Sequence, residues 1–366
     1  MSIDVTRRIE PGTVAILDRL TRWDLASIET IRASYAAAGG PPAPADPRVE
    51  RADGVIHGLN GMPNVAVRWY RPRGSTVSDT AAPLPCLVWL HGGGYIMGTL
   101  DENDDRLDRM VIELGCAVVS VDWRLAPEHP YPEGLDDAET VWRRVRDEAG
   151  SFGIDPARLV VGGASAGAGL AAALCLRLRE AGQPQPALQL LIYPMLDDRE
   201  VTESIRASAD PGHWGLWHLT ANRMCWDAYL GGLAGGDVPP TAAPARARDL
   251  SGLAPAFLGI GDVDAFLDEN LDYARRLSRA GVPVELHVYP GVIHGGFGAV
   301  PRTPRTAQFL RDIYAALASA FVRSEAAADA EREEGGDAVC WAHLICPECG
   351  AVTSEGHRPG CQLDHA

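Results

Sequence analysis

The chain has 366 residues, with 33 basic and 49 acidic side chains, a formal net charge of −16 and a sequence pI near 5.0. A surface this acidic repels phosphate backbones, and no basic arm or nucleic-acid motif is present, so nucleic acid is excluded as a partner. No run reaches the roughly 18 uninterrupted apolar residues of a membrane span, and the first 20 residues lack the apolar core of a signal peptide, so the expectation is a cytoplasmic protein without membrane insertion.

In chain order, residues 1–50 read as a helix and then a loop. Ile16, Leu17 and Leu20 recur at helical spacing, and Gly39-Gly40-Pro41-Pro42 ends the pattern. From Val55 to Tyr70, apolar alternation predicts paired strands. A strand-turn-helix rhythm follows. Strands are predicted at Cys86–Leu90, Ala117–Val121, Leu159–Val161, Leu188–Tyr193, Ala256–Ile260 and Val284–Tyr289. Helices are predicted at Asp136–Glu148, Ser165–Glu180, Asn270–Ala280 and Thr306–Phe321. Such alternation predicts an α/β fold with a mostly parallel sheet flanked by helices. No strand is legible between Pro194 and Leu253. That stretch holds Trp214, Trp217 and Trp226, large aromatics that need a surface to bury against. Residues 195–250, joined by about 1–50, are therefore expected to form a helical cap on a domain spanning 1–323.

Two glycine-rich segments each follow a predicted strand. Gly163-Ala164-Ser165-Ala166-Gly167 fits G-x-S-x-G between a strand and an alanine-rich helix. There a serine is lifted above the sheet edge on a turn too tight for larger neighbours, so Ser165 is the candidate nucleophile. His91-Gly92-Gly93-Gly94-Tyr95 leaves backbone N–H groups free for an oxyanion. Gly93, Gly94 and Ala166 are the candidate donors. His91 itself is expected to shape the glycine loop. The base of such a serine lies beyond the last strands, where His294 sits in a glycine-rich loop, whereas His287 lies inside a strand. The acid belongs after strand Ala256–Ile260, where Asp262, Asp264, Asp268 and Glu269 compete. Asp268 and Glu269 fall where a helix begins and suit a capping role. Asp262 and Asp264 stay open on these grounds.

From about Val65 to Phe321 the chain resembles the bacterial hormone-sensitive-lipase-like esterases of the α/β-hydrolase superfamily. The resemblance rests on His91-Gly92-Gly93-Gly94-Tyr95, on Asp122-Trp123-Arg124-Leu125-Ala126-Pro127-Glu128-His129-Pro130, on Asp264–Asn270 and on Tyr289–Gly295. It implies an α/β-hydrolase fold and a triad of Ser165, Asp264 and His294, and it decides between the two acids. It also implies hydrolysis of short- to medium-chain acyl or acetyl esters through an acyl-enzyme, with no catalytic cofactor. Two departures stand out. Ala164 replaces an acidic residue or threonine before the serine, and an extra glycine in Gly295-Gly296-Phe297 bears on the loop that aims the imidazole. The same apparatus would serve a deacetylase, lactonase or amidase acting on a specialised metabolite. A non-catalytic receptor on this fold is the reading of another class.

The cysteines fall into two sets. Cys86, Cys116, Cys175 and Cys225 stand singly among apolar neighbours and are expected to be free and buried. After an acidic linker at 324–339, the tail at 340–366 holds Cys340, Cys346, Cys349 and Cys361. Cys346, Cys349, His357 and Cys361 have the spacing C-x2-C-x7-H-x3-C, a complete tetrahedral zinc set similar to small zinc ribbons. A structural zinc with no catalytic role is expected there, since so short a segment cannot bury enough apolar surface to fold alone. Cys340, His343 and His365 are surplus candidate ligands. Beyond a small-molecule ester substrate, a homo-oligomer or a protein contact through the tail stays open.

Overall fold

A computed structural model describes residues 8–17, 24–38, 42–75, 82–209, 217–296 and 303–333. The chain divides into two units, Met1–Arg323 and Ser324–Ala366. The strands are β1 (Val49–Ile56), β2 (Val65–Pro72), β3 (Leu84–Leu90), β4 (Ala117–Val121), β5 (Ile154–Ala164), β6 (Gln189–Ile192), β7 (Ala256–Val263) and β8 (Val284–Ile293). They form an eight-stranded sheet in the order β1-β2-β4-β3-β5-β6-β7-β8. β1–β2 and β2–β4 pair antiparallel, and every later pair is parallel.

Burial accounts for this division. β4 reads AVVSV and β6 reads QLLI, and both are buried along their whole length, as strands covered on both faces must be. β1 reads VERADGVI, with exposed residues between buried ends, and lies at one edge. β8 lies at the other edge and carries His287, whose Nε2 is 2.7 Å from Glu285 Oε1.

The helices are α1 (Pro11–Leu17), α2 (Ile28–Ala38), α3 (Asp104–Leu114), α4 (Glu133–Asp147), α5 (Ala166–Glu180), α6 (Glu203–Ala207), α7 (Leu219–Leu230), α8 (Leu267–Arg279) and α9 (Pro304–Glu333). α5 has twelve buried residues among its fifteen and runs through the core beside the sheet. Between β6 and β7 the described residues contain α6, α7 and short 3₁₀ turns, and no strand.

Several elements differ from expectation. α3 is absent from the sequence reading, although Leu107, Met110, Val111 and Leu114 follow helical spacing. β5 extends three residues past Val161 and ends directly on the nucleophile turn. α8 starts at Leu267, before the expected Asn270, which places Asp268 and Glu269 in its first turn. Glu269 does not cap that helix. It is buried, and its Oε1 accepts the N–H groups of Leu196, at 2.8 Å, and Asp197, at 3.3 Å. Burial pushes its carboxyl pKa well above the usual carboxylate range. Part of the expected linker is helical, since α9 continues to Glu333.

No described helix is long and apolar enough to cross a membrane. Cys86, Cys116, Cys175 and Cys225 are free and buried. The expected zinc ligands Cys346, Cys349, His357 and Cys361 lie outside the described residues, as do Leu20 and Trp214. Among the described residues no group of three or more His, Cys, Asp or Glu side chains is placed to hold a metal ion.

Candidate active site

The order of the strands reverses around β3 and β5. From β3 the chain moves outward to β4 through α3, then crosses back to β5 through α4. The crevice at the carboxyl ends of such strands is where open α/β sheets bind ligands. In register, Leu90 of β3 faces Gly163 of β5. The residues that follow, the His91 loop and the Ser165 turn, therefore emerge side by side.

Ser165 has φ 55° and ψ −119°, a strained conformation for a residue with a side chain. Surrounding groups hold it there. Its N–H donates to Ile192 O at 2.9 Å, and its carbonyl accepts the N–H groups of Gly169 at 3.0 Å and Met195 at 3.1 Å. The flanking glycines are sterically obligatory. A Cβ on Gly163 would lie 2.5 Å from Leu90 O, and one on Gly167 would lie 2.1 Å from that same atom. The backbone of β3 thus passes too close for any side chain.

The acid and the base are brought together by register. Val263 of β7 pairs with Ile293 of β8, so the next residues, Asp264 and His294, leave the sheet as neighbours. Ser165 Oγ lies 3.0 Å from His294 Nε2, and His294 Nδ1 lies 2.8 Å from Asp264 Oδ2. An ionised carboxylate only accepts, so Nδ1 carries the hydrogen and Nε2 offers its lone pair to the serine hydroxyl. The second oxygen, Asp264 Oδ1, accepts the N–H of Phe266 at 2.9 Å. All three side chains are buried, Asp264 completely. The rings of Tyr193 and Phe266, each with its centroid 4.9 Å from that of the imidazole, and of Trp217 at 5.6 Å, enclose His294. The extra glycine after His294 leaves the imidazole within reach of Ser165.

Asp262 serves another purpose. Its Oδ1 accepts the N–H of Gly291 at 2.6 Å, and its Oδ2 lies 2.8 Å from the guanidinium of Arg8, so it pins the bend within β8.

Across the crevice, Gly93 has φ 117° and Gly94 has φ 59°, which side chains rarely tolerate. A Cβ on Gly92 would lie 3.5 Å from Ser165 Cβ, so the loop borders the nucleophile directly. Among the described residues no group accepts a hydrogen bond from the N–H of Gly93 or Gly94. Ala166 opens α5, where an N–H has no partner within the helix. His91 is buried and stacks on Trp123, with ring centroids 4.8 Å apart, and its Nδ1 donates to Gly92 O at 2.8 Å. Burial pushes its imidazole pKa down to about 4. An uncharged His91 thus packs beneath the loop and takes no part in the Ser165–His294 pair.

Sequence reasoning missed the support from α2. Arg32 Nε donates to Ile96 O, one Nη donates to Ala126 O, and both Nη atoms reach the Glu128 carboxylate, each bond 2.7 Å long. One guanidinium ties the glycine loop to the Asp122–Pro130 block. No local pattern reports such a bond, because its partners lie 64 to 96 residues away.

The chain is similar to known proteins. A family described as alpha/beta hydrolase fold matches residues 87–298. Carboxylesterase NlhH of Mycobacterium tuberculosis (strain ATCC 25618 / H37Rv) is 39% identical over 241 residues, 65% of this chain and 73% of that protein. Esterase LipI of the same organism is 34% identical over 294 residues, 79% of this chain and 88% of that protein. The solved structure of a bacterial heroin esterase superposes with a TM-score of 0.81 at 36% identity, over 86% of this chain and 99% of that one.

Proposed function

Because the chain belongs to the alpha/beta hydrolase fold family and is a carboxylic-ester hydrolase, we propose that Ser165, His294 and Asp264 carry out the hydrolysis. The observation that carries this assignment is the unbroken line from Ser165 Oγ through the imidazole to Asp264, with steps of 3.0 and 2.8 Å.

Ser165 Oγ attacks the ester carbonyl while His294 Nε2 takes its proton. Asp264 holds the tautomer and stabilises the imidazolium. The N–H groups of Gly93, Gly94 and Ala166 donate to the oxygen as it becomes an oxyanion, each such donor being worth on the order of 10²–10³ in turnover. The imidazolium then protonates the leaving alcohol. Water, deprotonated by His294, attacks the acyl-enzyme and releases a carboxylic acid.

The substrates are short- to medium-chain acyl or acetyl esters. Support comes from the resemblance to the esterases named above and from the aromatic rings of Trp217, Phe266 and Tyr193 around the imidazole, which offer apolar surface to a small acyl group. Residues 195–250, together with 1–50, act as a cap over this crevice. α7 and α2 both contact the glycine loop, through Cys225 beside Gly94 and through Arg32. Four free buried cysteines accord with a cytoplasmic location. For the tail, the spacing of Cys346, Cys349, His357 and Cys361 supports a structural zinc ion with no catalytic role.

The test is a panel of nitrophenyl esters of rising acyl length, run on wild type and Ser165→Ala, with labelling by a fluorophosphonate probe. Turnover should peak at short to medium chains, and Ser165→Ala should lose both turnover and label. Equal labelling of the two proteins would place the nucleophile elsewhere. Metal analysis of the full chain and of a chain ending at Arg323 tests the zinc. About one equivalent is expected in the former and none in the latter, and a metal-free full chain would refute the site.

A further inference from the structure

Two peptide planes support the main chain of the triad. Met195 N–H donates to Ser165 O and Leu267 N–H donates to Asp264 O, each at 3.1 Å. A peptide unit is planar, so holding its carbonyl also fixes the direction of its N–H. The carbonyls of these two units are Pro194 O and Phe266 O. Both accept from one atom, Asn270 Nδ2, and each bond is 2.9 Å long. A carbonyl oxygen only accepts, so both amide hydrogens are spent on these partners and the orientation of the amide follows. One NH2 group therefore reaches the nucleophile on one side and the acid on the other, each through a single peptide.

The same two segments also touch the base and the glycine loop. Tyr193 leaves β6 with φ 38°, a strained value for a residue with a side chain, and its ring centroid stands 4.9 Å from that of His294. Met195 O accepts the Tyr95 hydroxyl at 3.0 Å. Phe266 gives its N–H to Asp264 Oδ1 and places its ring 4.9 Å from the imidazole. Asn270 itself lies in the first turn of α8 and is wholly buried. The helix does not need its side chain at Phe266 O, because the Asn270 main-chain N–H already donates there at 3.1 Å. Among the described residues Asn270 Oδ1 has no partner. A buried acceptor left unpaired works against stability, so folding alone gives no reason for this amide.

We propose that Asn270 is a positioning residue for ester hydrolysis, whose two amide hydrogens tie the acid loop to the turn after β6 and so keep Asp264 and His294 aligned on Ser165. Asn270 touches neither substrate nor reacting atoms and acts through the Phe266 and Pro194 carbonyls. On the acid side it steadies the residue whose N–H sets the rotation of the Asp264 carboxylate, which leaves Oδ2 for His294 Nδ1 at 2.8 Å. On the other side it steadies the peptide that supports Ser165 at its positive φ. With the tie cut, the two arms shift independently, and the 3.0 Å step from Ser165 Oγ to His294 Nε2 is the contact that loosens. Misplacement of reacting groups by about 1 Å costs on the order of 10² in rate. The inference rests on Ser165, His294 and Asp264 forming the triad of an ester hydrolase.

The experiment compares the full chain with Asn270→Asp and Asn270→Ser. Asn270→Asp keeps the shape and removes both donors. Asn270→Ser keeps a donor that reaches back four residues to Phe266 O and loses the bond to Pro194. Hydrolysis of nitrophenyl acetate is measured below each unfolding midpoint, with active sites counted by a fluorophosphonate probe so that unfolded molecules drop out. Both variants should lose about tenfold or more in kcat per active site, with KM changed by less than about threefold, and should label more slowly in proportion. A purely structural Asn270 would lower the unfolding midpoint and leave kcat and labelling rate per site near wild type, and that result overturns the tie. A loss carried by KM in place of kcat overturns it too. If Asn270→Asp does not fold, Asn270→Ser decides by the same criteria. Wild type that neither turns over the ester nor takes the label overturns the triad reading itself, and the tie with it.

Discussion

Acid should weaken this fold through His91, by an amount the structure sets. Burial holds the His91 imidazole pKa at about 4, against 6.5 for a free side chain. Its Nδ1 hydrogen is engaged by Gly92 O, and its buried Nε2 has no partner among the described residues, so none of these would accept an added proton. As pH falls through 6.5, the unfolded chain takes up a proton that the native ring refuses. The unfolded state then binds more protons, so stability declines with falling pH until about 4, where the native ring also protonates. Across the whole window the loss is about 3 kcal/mol, and from pH 7.5 to 5.0 about 2 kcal/mol. Urea unfolding of wild type and His91→Gln at those two pH values isolates the effect, since all other groups titrate alike in both. Wild type should lose about 2 kcal/mol more than the variant on acidification. A ring titration followed by NMR, which does not depend on the variant folding, should place the native His91 pKa well below that of an exposed histidine. Equal acid sensitivity of the two proteins, or an ordinary His91 titration, would refute the reasoning.

Asp264→Asn should lower kcat by on the order of 10⁴, as in the serine-protease precedent, whereas Asp262→Asn should change it little; ester turnover of both variants decides, and a reversed order would reassign the acid. Gly94→Ala would drive a Cβ to 2.5 Å from the Trp217 ring and 2.8 Å from Cys225 Sγ at a φ of 59°. It should cost on the order of 10² in kcat/KM by displacing the oxyanion loop, and wild-type kinetics would show that the loop is not held as described. Arg32→Met leaves the Ile96 and Ala126 carbonyls without their guanidinium donor and should destabilise the fold by about 1–3 kcal/mol. Thermal unfolding reads this out, and an unchanged midpoint would mean that the clamp is energetically silent.

Much of this protein is legible locally. Buried parallel strands read as continuous apolar runs because both of their faces are covered. The Gly163–Gly167 and His91–Gly94 segments announce themselves because a Cβ at their glycines would fall within about 3 Å of another backbone or because the residue takes a positive φ, and only glycine satisfies those demands. Ser165 and His294 could be chosen from such signals together with chain order. Asp264 could not be separated from Asp262 in that way. Two residues apart after the same strand, they differ only in what lies opposite, and that follows from the pairing of Val263 with Ile293. The same holds for Glu269, which looks like a helix-start carboxylate and instead binds the backbone after β6. It holds for Arg32, whose partners lie on distant loops. Propensity and turn sterics act over a few residues and are written in the sequence by itself. Which side chains meet across the crevice depends on strand register and helix facing, and these exist only once the whole sheet has formed.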